Sequence, residues 1–179
     1  MRQRMFAAGL ALAIGCATPI AINSVHQDQA AQVQRQADDQ SAQQLQLARE
    51  LPADPPDVAG AFVDLLAEGG ANAAQEGCIL FSATAAAQFA AVYRAQNCVA
   101  AMQHLHDLVT DPGAYANDLS VPDTAWTQIG TSATLNGCAL NWSGLLSDEP
   151  SPAPGPLPGL WTLTQVDGEG WQITRYQPC

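Results

Sequence analysis

The chain has no lysine, and that absence removes whole classes of function. It excludes Schiff-base chemistry and P-loop phosphate binding through this chain, since both need an ammonium group at a fixed place. The positive charges are Arg2, Arg4, Arg35, Arg49, Arg94 and Arg175, against 17 acidic residues, for a formal net charge of -11 over 179 residues. Affinity for phosphate backbones rests on clustered cations, and a polybasic contact with anionic lipid needs the same, so neither is expected. Nucleic acid is therefore not an expected partner. Compact Cys/His spacing for zinc is missing, as are EF-hand spacing for calcium and a GxSxG context around Ser82 or Ser143. No metal, cofactor or catalytic residue is expected on these grounds.

What the sequence does hold begins with a targeting pattern. Residues 1–4 read MRQR and residues 5–15 read MFAAGLALAIG, a basic segment followed by an apolar run, as in a secretory signal. Cys16 follows Ile14-Gly15 and is placed like the acylated cysteine of a bacterial lipobox, although Ala13 stands where that motif usually has Leu. The run from Met5 to Ile22 is also just long enough to cross a bilayer at ~1.5 Å per residue, with Arg2 and Arg4 holding the N-terminus inside. Cleavage after Ala17 would release the chain instead. Residues 1–22 thus read as a signal peptide with lipobox or as a single membrane anchor, and every alternative puts the remainder outside the cytoplasm.

Residues 23–56 form a polar spacer rich in Gln and Ala. Good helix formers dominate 26–50, but Val33, Leu45 and Leu47 are too sparse for a continuous apolar stripe. A solvated, partly helical stalk is expected, ended by Pro52, Pro55 and Pro56, with the folded domain beginning near Asp57.

The domain, residues 57–179, carries Cys78, Cys98, Cys138 and Cys179. An even number of cysteines in an exported chain reads as two disulfides, and three connectivities stay open. The positions of the cysteines favour Cys78–Cys98 and Cys138–Cys179. An amphipathic helix is predicted over 57–68, stopped by Gly69-Gly70, then a short apolar stretch from Cys78 to Phe81. Ser82 is expected to cap a helix reaching about Ala95, and Asn97 one from Cys98 to about Val109. After Tyr115 the period becomes that of strands. Residues 131–142 read as β structure with Cys138, Leu140 and Trp142 on one face. Asn136-Gly137 is the leading hairpin signal, and a turn at Gly130 with a bulge at Gly137 is the alternative. Residues 148–159 form a Pro-rich loop. A closing hairpin, Trp161–Val166 with Trp171–Tyr176, would let Cys179 pin its second strand to the Cys138 strand. Helices first and an antiparallel sheet last make the fold class α+β.

The runs CILFSATAAAQFA, NCVAAMQHL, GCALNW and GWQITRYQPC resemble small exported actinobacterial proteins of the NTF2-like (SnoaL-like) superfamily, over roughly 57–179. The resemblance implies a cone, with N-terminal helices packed on a curved antiparallel sheet and a hollow between them. Its motifs are cysteines and aromatics, which specify a fold more than an activity. Enzymes of that superfamily place an acid or a histidine inside the cone, and no motif here maps onto such a site.

Few residues remain as candidates for chemistry. His104 and His106 stand at i and i+2 of a helix, about 200° apart, so they do not share a metal. His106 lies at the edge of the apolar face, placed to line a pocket or to pack. Asp107, Asp111, Asp118 and Asp123 read as caps and turns, a buried one among them being a candidate base. Trp126, Trp142, Trp161 and Trp171 all fall in the sheet, where they would frame a pocket or form its inner face. The expected function is a non-enzymatic, membrane-anchored binding module that recognises a partner protein or an apolar ligand. The alternatives are an accessory subunit of an envelope transport or secretion assembly, and a small isomerase- or cyclase-like enzyme acting on an apolar substrate.

Overall fold

The computed structural model describes residues 50–143 and 152–179. The expectations for the segment 1–22, for Cys16 and for the spacer as far as residue 49 lie outside the described residues. Among the described residues no helix is long and apolar enough to cross a membrane.

Helix α1 spans Pro55–Glu68. Proline suits the first helical position, where its missing N–H would have no partner, and Asp57 sits against the positive end of the helix. Val58, Phe62, Val63 and Leu66 form its buried face. Gly69 ends it at φ 68°, with its N–H donating to the Leu65 carbonyl at 3.1 Å. The Gly-Gly stop is not followed by a loop. Helix α2, Gly70–Ile79, starts at once and buries only Ala73, Ala74 and Gly77. Its small side chains permit close packing, and a Cβ on Gly77 would collide with the Met102 methyl.

Helix α3, Ala83–Val92, is capped by the Ser82 hydroxyl, which accepts from the Ala85 N–H at 3.3 Å. It ends before Ala95 because Arg94 turns left-handed (φ 52°) and the Ala95 N–H reaches back to the Ala90 carbonyl at 2.9 Å. Helix α4, Cys98–His106, has Asn97 as its cap, accepting from the Ala100 N–H at 2.9 Å, and stops short of Val109. Helix α5, Pro112–Asn117, was not expected. Asp111 caps it at 3.0 Å and it buries Tyr115.

Strands β1 (Leu119–Ser120) and β4 (Asn141–Trp142) pair with each other. The main sheet is antiparallel, in the order β2 (Trp126–Ile129), β3 (Ser132–Asn136), β5 (Leu160–Val166), β6 (Gly170–Gln177). The turn between β2 and β3 lies at Gly130 (φ 60°), so the leading hairpin signal at Asn136-Gly137 is corrected. Asn136 instead opens a 3₁₀ turn, Gly137–Ala139, by accepting from the Cys138 N–H at 3.1 Å. The reason is packing: the Gly137 N–H donates to the Gly159 carbonyl at 2.7 Å, an approach that a side chain would obstruct. The expected strand over 131–142 is therefore broken, and Cys138 sits in the turn rather than on a strand face with Leu140 and Trp142. Cys179 bonds to Cys138 there, and Cys78 bonds to Cys98 across α2 and α4.

The helices pack against one face of this sheet, and the fold is α+β. Ala133, Leu135, Trp161, Leu163, Trp171 and Ile173 supply the sheet's inner side. Phe62 fills the centre, edge-on to Phe81, Phe89 and Trp161 at 5.9, 6.0 and 5.2 Å between ring centres. Packing reaches back past Asp57 to Leu51, which is buried. The free edge of β6 is covered by three different segments. Its Trp171, Ile173 and Tyr176 N–H groups donate to Pro52 O (2.9 Å), Leu80 O (2.8 Å) and Gln88 Oε1 (3.0 Å). The opposite edge, β2, is short, and its Ile129 is 85% exposed.

A candidate binding groove on the outer face of the sheet

Side chains alternate between the two faces of a strand, so the residues between the buried ones form the outer face. Register brings four of them into one row across the whole sheet. Thr127 lies opposite Thr134, Thr134 opposite Thr162, and Thr162 opposite Arg175. Asn136, Leu160 and Gln177 form the adjoining row. A groove of about 310 Å³ runs over these rows, bordered by the half-buried Trp126. At about 4.8 Å per strand spacing, it extends about 14 Å from β2 to β6.

The groove differs electrostatically from the rest of the domain. Among the described residues no strand carries an aspartate or a glutamate, and Arg175 is the one charged residue in any strand. Among the described residues, exposed Arg175 has no ion-pair partner. The Thr127 and Thr134 hydroxyls bond to each other at 2.8 Å and keep further donor and acceptor capacity for a ligand.

The residues singled out in the sequence divide between groove and core. Trp126 and Trp161 line the groove, Trp161 from a buried position with its indole N–H donating to the Pro158 carbonyl at 3.1 Å. Trp142 does not reach it. That ring is buried in parallel stacking with Tyr115 (5.5 Å, 5°), and its N–H donates to the Tyr115 carbonyl at 2.9 Å. Nor does His106 wall a usable pocket. A carbonyl only accepts, so its Nδ1 carries the proton and donates to Leu66 O at 2.7 Å. The imidazole thereby satisfies a last-turn carbonyl of α1 and covers Gly69, beside a cleft with no room for a water molecule.

Acid–base chemistry has little to work with among the described residues. None of Asp107, Asp111, Asp118 and Asp123 is buried, and Asp111 serves as a helix cap. Asp64 on α1 has its pKa raised by desolvation, but it does not line the groove. Burial raises Tyr115 and Tyr176, and Tyr176 also shares a 2.6 Å hydroxyl hydrogen bond with Tyr93. No group of three or more His, Cys, Asp or Glu is placed to hold a metal among the described residues.

Sequence reading missed Arg175 and the threonine row. The signal was present as alternation in WTLTQV and WQITRYQ, where one arginine interrupts an uncharged polar side. Comparison with known proteins yields no relative: no family model, no curated protein and no solved structure matches the chain.

Proposed function

We propose that this protein is an exported, non-enzymatic binding module that recognises a partner protein through the outer face of its sheet. The observation that carries this reading is an open groove on one face of the sheet, where hydroxyl, amide and guanidinium groups lie among apolar surface from Trp126 and Leu160, backed by an aromatic-filled interior on the other face. Two disulfides belong to an oxidising environment, which supports export. Attachment to the membrane, by acylation of Cys16 or by an uncleaved span over 5–22, is the part of the proposal that rests on sequence alone. Helices packed on one face of an antiparallel sheet support the NTF2-like reading, with Phe62 and its ring neighbours occupying the place of the hollow. That filling favours a partner protein over an apolar ligand held inside.

The test is site-specific photo-crosslinking in cells that make the protein. A crosslinker at Thr134 captures the partner, one at exposed Ala87 on α3 does not, and Thr162→Arg in the groove abolishes capture from Thr134. Capture from Ala87 that ignores the groove substitution, or capture from neither position, overturns the proposal.

A further inference from the structure

Resting on the outer face as the recognition surface, we infer that the occupant is an extended, otherwise uncharged protein segment presenting one carboxylate to Arg175. The argument is charge complementarity. Among the described residues the carboxylates lie on helices and loops and none lies on a strand, leaving Arg175 as the one charge in a groove whose other polar side chains are hydroxyls and amides. A guanidinium accepts a carboxylate through two parallel N–H···O bonds, and neighbouring Thr162 and Gln177 can donate to the same group or to the backbone beside it.

Geometry limits the size of the occupant. A groove of about 14 Å matches about four residues of extended chain, laid across the strands and not added along an edge. The acidic balance of the chain, -11 overall, disfavours further carboxylates in the occupant. One is compensated by Arg175, and each further one meets the repulsion of the surrounding acidic surface. Trp126 at the β2 end and Leu160 on β5 offer apolar contact to the neutral side chains.

The test uses the oxidised full-length protein, labelled with ¹⁵N, and blocked tetrapeptides with a central glutamate, glutamine or phosphoserine among serine and alanine. The glutamate peptide shifts the amides of Thr127, Thr134, Thr162 and Arg175, and the glutamine peptide binds about tenfold or more weakly. Arg175→Gln erases that difference between peptides without altering the remainder of the spectrum. Equal binding of the glutamate and glutamine peptides to the groove overturns the carboxylate while leaving the groove as the recognition surface. Tighter binding of phosphoserine assigns Arg175 to phosphate, and acetate matching the peptide at equal concentration assigns it to a small acid; either overturns the inference. Binding of no peptide overturns it too, and crosslinking from Thr134 then decides the broader proposal separately.

Discussion

Trp161 and Thr162 are neighbours in the chain, yet Trp161 is buried edge-on against Phe62 while Thr162 lies in an open groove. The same contrast runs along β3, where Ala133 and Leu135 are buried and Ser132, Thr134 and Asn136 are exposed. One face is continuous with the helical core, and the other is a row of hydroxyls ending in a guanidinium. Stability should therefore reside on the inner face and recognition on the outer face, and substitutions on each should not substitute for one another.

The largest effect should come from Phe62→Ala, which removes three ring contacts from the centre and is expected to cost about 3–5 kcal/mol in urea unfolding. A loss below 1 kcal/mol would break the comparison from the inner side. Next come the disulfides. Replacing Cys138 and Cys179 by serine should cost about 4 kcal/mol, and replacing Cys78 and Cys98 about 3 kcal/mol. Their sequence separations of 41 and 20 residues set that order, and a reversal would show that the helical bridge restrains more than loop closure.

The buried phenols sharpen the contrast through pH. Burial holds the pKa values of Tyr115 and Tyr176 above 10.0, and the hydrogen bond with Tyr93 adds to the shift of Tyr176. Above that pH the unfolded chain loses these protons before the native one does. Their stabilisation is thus whole below pH 10.0 and falls as pH rises through the folded-state values. Unfolding midpoints measured from pH 8 to pH 11 should fall at the alkaline end, and less so in Tyr176→Phe. The smallest effect should be that of Thr134→Ala and Arg175→Gln, each within about 0.5 kcal/mol of the parent. A larger cost for either would mean that the outer face is structural.

Local signals made the helix starts legible. Ser82 and Asn97 are caps whose side chains do bond to the following turns, and Gly69 does end α1. The closing hairpin was legible from its alternation and from Asp167-Gly168, which adopt positive φ. Helix α2 was hidden because it has no large apolar residue on its buried face and depends on close approach to α4. Asp111-Pro112 was a readable start for α5 that went unused. Asn136-Gly137 misled because hairpin preference is local, whereas contact with Gly159 is not. The groove escaped for the same reason: Thr127, Thr134, Thr162 and Arg175 become neighbours only once the register of four strands is fixed.

The covered edge of β6 also bears on the order in which the domain can assemble. Pro52, Leu80 and Gln88 all precede β6 in the chain, and each keeps an acceptor that β6 fills. A nascent chain that has reached only Val166 has made every helix but lacks Trp171, Ile173 and Tyr176, so its core has no final wall. The helices are synthesised early and secured late. The contacts that close the core thus join segments far apart in sequence, so folding is expected to wait on the closing hairpin.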